Sequence, residues 1–356
     1  MCCNIVYEKT SKKVKMKTEI LKASEESIEK ACELLKAGEV VGIPTETVYG
    51  LGADATKSEA IRKIYQAKGR PLDNPLIVHI SSLDMLKGLV REVPENAKKL
   101  MDAFWPGPLT IIMPRGEKVC DETCGGLDSV GIRMPSNKVA HEIIEKSGIA
   151  LSAPSANLSG KPSPTNALDV FEDMNGRIPL IIDDGECLAG VESTVVSCLE
   201  KTPIILRPGV ITKEMMENAL GSEVKIARAI TEEVGKDEKV LSPGMKYKHY
   251  APNAKVIILK GNFNKFKTYV EKHVEEGVFA LVFDGEEDKL NVKTISYGSE
   301  EEPLTQAHNL FKVLRELDKE NAKVVYARCP KTDGVSLAVF NRLIRSAGFN
   351  IIDLDD

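Results

Sequence analysis

Short apolar runs alternate with amphipathic segments along the first two-thirds of the chain. Runs of strand length occur at residues 40–43, 76–80, 109–113, 130–133, 150–152, 180–182, 194–197 and 204–206. Apolar residues with helical spacing occur at residues 24–35, 59–67, 94–104, 137–146, 166–174 and 212–220. Ser24 is a typical N-cap, and Pro106 prevents the helix at 94–104 from continuing. So many strands with few intervening helices predict a large mixed sheet.

The pattern becomes a cleaner strand–helix alternation after residue 252. Strands are predicted at 255–259, 278–283, 323–326 and 350–354, with helices at 263–275, 304–317 and 336–346. This alternation predicts a smaller three-layer α/β domain. We therefore divide the chain into a loose extension at 1–17, a first domain at 18–228, a connector at 229–252 and a second domain at 253–356.

Composition narrows the class of protein. The chain has 356 residues, of which 42% are hydrophobic and 28% charged, as expected of two cored domains. Its net charge of −5 weighs against binding nucleic acid through bulk charge. The eight cysteines, which include Cys2 and Cys3, form no CxxC pair, and this predicts reduced thiols in a cytoplasm. No apolar run approaches the ~20 residues of a membrane helix, and no signal peptide is evident, so we expect a cytoplasmic protein.

Groups suited to an anionic ligand follow the first two strands. The segment PTETVYGL at 44–51 supplies hydroxyls and glycines after a strand, and KGR at 68–70 places two cations at a helix end. Asn74 and His79 accompany the next strand. Ligands of open α/β sheets bind at strand ends, and a guanidinium such as that of Arg70 matches phosphate oxygens. Cations in a last helical turn can equally complement the helix dipole, and His79 can equally be a core histidine.

A second group of polar residues lies in the loop 151–165, where small residues and hydroxyls can approach a phosphate or a sugar. A surface loop rich in Ser and Pro is the alternative. Arg133 and Arg207 both stand at strand ends beside Pro or Gly turns. The chain lacks a GxxxxGK[ST] loop and a dinucleotide GxGxxG turn. Any nucleotide would therefore be held by side-chain cations and hydroxyls.

These motifs together resemble one family. PTETVYGL at 44–51, KGR at 68–70 and SAN at 155–157 resemble the YrdC-like domain of threonylcarbamoyl-AMP synthases. The likeness continues through WPGPLT at 105–110, EST at 192–194 and RPG at 207–209. The connector motif SPGMKYKHYAP at 242–252 and the segment GVSLAVFNRL at 334–343 resemble the longer, two-domain form. The resemblance runs from about residue 20 to the C-terminus, and it is specific because many weak motifs occur together.

The resemblance implies a fold and an activity. The fold would be a twisted mixed sheet around a concave site, followed by a Rossmann-like domain. The enzyme would be a nucleotidyltransferase that makes L-threonylcarbamoyladenylate and pyrophosphate from L-threonine, bicarbonate or CO2, and ATP. A tRNA threonylcarbamoyl-transfer complex would use the product. Mg2+ would be held with ATP, because the sequence offers no all-protein cage for it.

The family's functional positions can be carried over motif by motif. The positions that match threonine contacts are Thr47, His79, Arg133, Ala153 through its backbone, and Ser193, with Arg133 pairing the carboxylate. The positions that match ATP contacts are Arg70, Asn74, Ser129, Ser155, Ser163 and Arg207. Lys68 matches a lysine that faces the phosphates, and we assign the catalytic charges to Lys68 and Arg70. A connector tyrosine would cover the nucleotide as a lid, and Tyr247 and Tyr250 are both candidates.

Two other functions remain open from the sequence. One is another carbamoyl-adenylate enzyme, such as the hydrogenase-maturation carbamoyltransferases, although their acylphosphatase and CxxC zinc-finger segments are missing here. The other is an RNA-binding module without catalytic activity. The negative charge and the lack of an aromatic–basic strip weigh against this module and against direct binding of tRNA.

Overall fold

The computed structural model describes residues 16–72, 74–232 and 250–356. Within these residues, eleven strands form one sheet in the order β1-β8-β2-β3-β7-β4-β6-β5-β9-β10-β11. The strands are β1 (Glu19–Lys22), β2 (Val41–Ile43), β3 (Gly50–Asp54), β4 (Ile77–His79), β5 (Leu109–Pro114), β6 (Ser129–Arg133), β7 (Leu151–Ser152), β8 (Leu180–Asp183), β9 (Thr194–Ser197), β10 (Ile204–Arg207) and β11 (Lys225–Ile226). Parallel and antiparallel pairs alternate irregularly across it, so the predicted mixed sheet is confirmed.

Helices pack on this sheet. They are α1 (Glu25–Lys36), α2 (Ser58–Lys68), α3 (Glu95–Phe104), α4 (Asp121–Cys124), α5 (Lys138–Ser147), α6 (Ala167–Met174) and α7 (Lys213–Leu220), with short 3-10 turns at Leu83–Leu86 and Arg228–Ile230. The N-cap predicted at Ser24 is present, since its side chain accepts from Ser27 N–H. Buried aliphatic residues of α1 and α5 pack together with β2, β7 and β8.

The sequence pattern missed strand β3. The sequence predicts that residues 50–52 belong to a turn rich in hydroxyls and glycines, and glycine indeed disfavours strands. In the structure the turn is shorter, and β3 returns antiparallel to β2 with Gly50 opposite Ile43. The reason for glycine at position 50 is tertiary, because a Cβ there would lie 3.1 Å from the Cβ of Ala153. Residues of the turn between β2 and β3 line the pocket described below.

The second domain has a five-stranded parallel sheet in the order β14-β13-β15-β12-β16. Its elements are β12 (Lys255–Lys260), α8 (Phe263–Lys272), β13 (Val278–Val282), a 3-10 turn at Glu287–Lys289, β14 (Lys293–Ser296), α9 (Pro303–Lys319), β15 (Val324–Arg328), α10 (Ser336–Ser346) and β16 (Ile351–Asp353). The predicted three-layer alternation is confirmed, although β14 was missed and α8 ends earlier than expected.

The two domains are in direct contact. Val48 and Val191 of the first domain belong to the apolar core that α9, α10 and their sheet form in the second. Gly190 has φ +72°, and a Cβ at this position would lie 2.4 Å from the Cα of His308 on α9. Only glycine fits there, since both the backbone angle and the close approach exclude a side chain. The loop before β9 is therefore held between the domains.

No helix in the described part of the chain is long and apolar enough to cross a membrane.

Candidate functional site

A concave pocket of about 730 Å³ lies where the β2–β3 turn, the end of α2 and the ends of several central strands meet. It is lined by Thr45, Thr47, Val48, Gly50, Lys68, Arg70, Ile77, His79, Arg133, Ala153, Pro154, Ser155, Asn157, Ser159, Gly160, Glu192, Ser193, Arg207 and Tyr250. Ten of these are residues that the sequence predicted to bind ligand, drawn from segments far apart in the chain. The structure therefore brings most of the predicted site together.

Arg133 is the charged centre of one end of the pocket. It closes β6, is 4% exposed, and donates from Nη1 to Thr47 Oγ1 at 2.8 Å. Its Nη2 lies 2.8 Å from Glu46 Oε2, in ion-pair contact but outside hydrogen-bond geometry. Burial disfavours the Glu46 carboxylate, but the adjacent guanidinium outweighs it and lowers the pKa of Glu46. The Arg133 Nε proton has no hydrogen-bond acceptor among the described residues, whereas Nη2 is engaged by Glu46.

The other groups at this end are buried and polar. His79 lies beside Arg133 in the register of β4 and β6, and its Nδ1 is 3.2 Å from Ile77 O. Burial, followed by the charge of Arg133, lowers the pKa of His79 to about 3, so the ring is neutral at physiological pH. Ser193 Oγ is 2.8 Å from Thr110 Oγ1, and Ala153 borders the same space. These groups can bind a small polar ligand through hydrogen bonds.

Lys68 and Arg70 supply positive charge where the pocket borders the end of α2, a region called here the Lys68 end. Lys68 is the last residue of α2, which Gly69 ends with φ +64°. The Lys68 ammonium is 3% exposed and donates to Ser155 O and Asn157 O. Burial, followed by the charge of Arg70, lowers its pKa well below the ordinary value. Two carbonyls accept from an ammonium with three protons, which leaves donor capacity toward the pocket.

Arg70 is half-buried and reaches the same end from the loop after α2. Its Nη2 donates to Asn74 O and Pro75 O, both at 3.3 Å. The cations thus face the pocket, and complementing the helix dipole does not by itself explain their placement.

Arg207 and Glu192 are two further charged residues that line the pocket. Arg207 is 7% exposed and donates from Nε to Ser193 O at 3.1 Å and from Nη2 to Ser193 Oγ at 3.2 Å. Ser163 donates to Glu192 Oε1 at 2.6 Å. Burial opposes ionisation of Glu192, but Arg342 and Arg207 outweigh it and lower its pKa. Glu192 is therefore a carboxylate held ionised at the edge of a largely cationic site.

Tyr250 is the connector tyrosine that the described residues include. It is 5% exposed, lines the pocket, and packs against Phe311 of α9 with ring centroids 5.0 Å apart. The next residue, Ala251, donates its N–H to Gly160 O at 2.9 Å. Tyr247 and the connector residues 233–249 lie outside the described residues. The choice between the two tyrosines, and the lid, therefore remain predictions, as do the individual ligand contacts.

Three residues that were predicted to bind the nucleotide do not line the pocket itself. Ser163 is one contact away, through Glu192. Asn74 is 2% exposed and lies behind Arg70, with an Oδ1 that has no hydrogen-bond partner among the described residues. Ser129 begins β6 and lines a neighbouring cavity of about 270 Å³. Ile77 borders both spaces, so Ser129 is on the far side of that residue.

The sequence did not assign the other nine pocket residues, among them the polar residues Thr45, Asn157 and Glu192. All three lie inside motifs that the sequence analysis quoted, so their neighbours were the signal that could have found them. Thr45 organises the β2–β3 turn, because its hydroxyl donates to Val48 O at 2.6 Å. In the described part of the chain, no three His, Cys, Asp or Glu side chains are grouped as metal ligands.

Comparisons with known protein families cover almost the whole chain. A family described as telomere recombination matches residues 33–209. A second family, described as the C-terminal domain of threonylcarbamoyl-AMP synthase, matches residues 211–348. The two matches follow one another along the chain.

Individual relatives agree with these matches. The threonylcarbamoyl-AMP synthase of Pyrococcus abyssi is 44% identical over 328 residues, which are 90% of this chain and 94% of the relative. The threonylcarbamoyl-AMP synthase of Bacillus subtilis is 43% identical over 340 residues, or 94% and 97% of the two chains. The crystal structure of P. abyssi Sua5 with L-threonine superposes with a TM-score of 0.87 at 41% identity, covering 95% of this chain and 99% of that one.

Proposed function

The chain belongs to the threonylcarbamoyl-AMP synthase family, in its two-domain form, and from that premise we propose that it makes threonylcarbamoyl-AMP and pyrophosphate from L-threonine, bicarbonate or CO2, and ATP. The observation that carries the proposal is one pocket with two ends of different chemistry. One end has a buried guanidinium among small polar groups, and the other has an ammonium and a guanidinium at a helix end.

The Arg133 end suits the amino acid. The guanidinium of Arg133, whose Nε proton has no acceptor among the described residues, is the kind of group that pairs with a carboxylate. Thr47, His79 and Ser193 surround this position with buried hydrogen-bonding groups that fit a side-chain hydroxyl. The relative of known structure was crystallised with L-threonine, which supports the same ligand here.

The Lys68 end suits the phosphates of ATP. Lys68 and Arg70 provide positive charge, Ser155 and Asn157 border the same space, and Arg207 lies on the side facing Tyr250. Cations placed in a site from which water is excluded stabilise charge that develops on transferred phosphoryl groups. Arg207, Lys68 and Arg70 would therefore hold ATP with its α-phosphate toward the amino acid.

The reaction then needs positioning more than a reactive side chain. The threonine amine attacks CO2 and loses a proton, which gives the carbamate. A carbamate oxygen attacks the α-phosphorus, and the bond to the bridging oxygen breaks to release pyrophosphate. Both steps join substrate atoms directly, so a covalent enzyme intermediate is unnecessary, and holding the reactants in contact supplies much of the acceleration. The second step is adenylyl transfer, the chemistry of a nucleotidyltransferase.

Mg2+ would accompany ATP. Glu192, the carboxylate that lines the pocket, is already engaged by Ser163 and Arg342. The arrangement therefore fits an ion held by phosphate oxygens and water, as Mg2+ prefers, and not a dedicated protein cage. The ion would neutralise charge on the leaving pyrophosphate. The product would pass to a tRNA threonylcarbamoyl-transfer complex, a step that rests on the family alone.

Isotope-labelled bicarbonate tests the proposed product. The full-length protein is incubated with ATP, Mg2+, L-threonine and labelled bicarbonate, and the mixture is analysed by mass spectrometry within seconds. We expect an adenylate that carries both threonine and the labelled carbon. Omission of threonine is the control. AMP release without an adenylate that contains the label would contradict the proposal.

The connector prediction has its own test. Tyr250 and Ala251 attach the end of the connector to the pocket and to residue Gly160. If residues 242–252 cover the nucleotide, ATP plus threonine will protect the connector from proteolysis, and a chain truncated after Arg228 will synthesise product weakly. Equal cleavage with and without the substrates, together with full activity of the truncated chain, would contradict the prediction that the connector is a lid.

A further inference from the structure

A buried arginine of the second domain contacts a residue that lines the pocket of the first. Arg342 lies on α10 and is 0% exposed. It donates from Nε to Glu192 Oε2 at 3.0 Å and from Nη2 to Glu192 O at 3.4 Å. Its Nη1 donates to Pro208 O at 2.6 Å. One side chain thus binds two segments of the first domain, the turn before β9 and the turn after β10.

Both segments carry ligand-facing groups of the site. Glu192 precedes Ser193, and Pro208 follows Arg207, whose guanidinium donates twice to Ser193. Glu192 also accepts from Ser163, so the loop that contains Ser163 joins the same network. The two turns are packed tightly, because a Cβ on Gly209 would lie 2.4 Å from Thr194 N. A displacement of Arg342 would therefore be transmitted to Arg207, Ser193 and Ser163 together.

Charge gives Arg342 a second effect on the site. Glu192 lines a pocket whose proposed ligand carries several negative charges, and a buried carboxylate there would repel it. Arg342 and Arg207 compensate that carboxylate. If Arg207 alone had to neutralise Glu192, it would bind a phosphate or the nucleotide less strongly. Because Arg342 also neutralises Glu192, Arg207 stays available to the ligand.

We propose that Arg342 is a positioning residue for the nucleotide end of the pocket, and that it acts by neutralising and orienting Glu192 at the domain interface. The proposal rests on the proposed function for the identity of the ligand. It assigns the second domain a role in the site although Arg342 is not among the residues that line the pocket. The role is indirect, because the guanidinium contacts Glu192 and Pro208 and not the space for ATP.

Binding of MgATP to full-length variants tests this role independently of turnover. Calorimetry gives the Kd of Arg342→Met, and steady-state pyrophosphate release gives KM and kcat. Truncating one partner of a buried charge pair leaves the other uncompensated, so we expect Kd and KM for ATP to rise about tenfold or more. Because the effect comes from an unpaired carboxylate, the double variant Arg342→Met/Glu192→Gln is expected to recover part of the lost affinity.

Arg328→Met is the matched control. Arg328 is a buried arginine of the same domain, paired with Glu286 at 3.1 Å, and neither residue lines the pocket. This variant loses a comparable ion pair, so we expect a lower melting temperature with unchanged affinity for ATP. If loss of a buried charge anywhere in the second domain weakens ATP binding equally, Arg342 has no specific role.

Two results would overturn the proposal: wild-type ATP affinity in Arg342→Met, or a double variant that binds ATP no better than the single one. If Arg342→Met does not fold, Arg342→Lys serves, since it keeps the charge and loses the fork that joins Glu192 to Pro208. A raised Kd supports positioning, and a wild-type Kd refutes it. A wild-type protein that binds ATP without threonine-dependent turnover would refute the proposed function and leave the Kd test of Arg342 intact.

Discussion

Valine is expected to be a substrate worse than L-threonine by on the order of 10⁴-fold in kcat/KM, because a site that hydrogen-bonds a substrate hydroxyl rejects the analogue without it. Thr47, His79 and Ser193 are 0%, 3% and 1% exposed, so a valine methyl group would lose, in a dry environment, the hydrogen bonds that the threonine hydroxyl would make with them. The neutral His79 ring can donate or accept there, as its pKa of about 3 excludes the charged form.

Serine is the matched control for this prediction. It keeps the hydroxyl and lacks the methyl group, whose loss from a pocket costs only about 10–200-fold. The expected order of kcat/KM, measured by pyrophosphate release, is threonine, then serine, then valine. Valine used as well as serine would mean that the pocket recognises shape and not the hydroxyl.

Arg70→Ala is expected to weaken the use of ATP by about ten- to a hundredfold, since a hydrogen bond to a charged group contributes ~1.5–3 kcal/mol. Arg70 faces the pocket beside Lys68, and its backbone partners, Asn74 O and Pro75 O, hold it at that end. The loss should appear mainly in KM for ATP if Arg70 binds ground state and transition state alike, and in kcat if it acts on the transition state.

Arg62→Ala on α2, the helix that precedes Arg70, separates this effect from a general change of charge. Arg62 pairs with Glu122 at 2.6 Å, and its side chain is 62% exposed, so its removal should alter little. KM for ATP and kcat of this control should match the wild type. If Arg70→Ala also has wild-type kinetics, Arg70 does not act on ATP, and its role is limited to complementing the dipole of α2.

The local sequence pattern predicted those helices and strands in which buried apolar residues recur at regular spacing. The helix expected at 137–146 is α5, Lys138–Ser147, because its apolar residues recur on one face and Asn137 caps it. Strand β3 was missed because its two glycines disfavour a strand locally, while pairing with β2 and β7 decides the outcome. The last residues of β3 pair with β7, about a hundred positions later in the chain, and a local sequence pattern contains no information about that pairing.

In the site, too, some residues could be predicted from the local sequence and others only from tertiary packing. Hydroxyls and cations at strand ends predicted groups such as Lys68 and Arg133, since strand ends of one sheet converge. The sequence did not assign Glu192 and Arg342, although both lie in motifs that carry the family resemblance. An arginine within the apolar segment 336–346 was a signal of a buried ion pair. Its partner lies 150 positions earlier, and only the packing of α10 against the first domain identifies it.

The central claim is that this pocket couples a threonine-derived carbamate to the α-phosphate of ATP, and exchange of labelled pyrophosphate into ATP tests it most directly. The account predicts exchange that requires both L-threonine and bicarbonate and falls in Arg70→Ala. Exchange that proceeds without threonine, or no exchange when all substrates and Mg2+ are present, would contradict it.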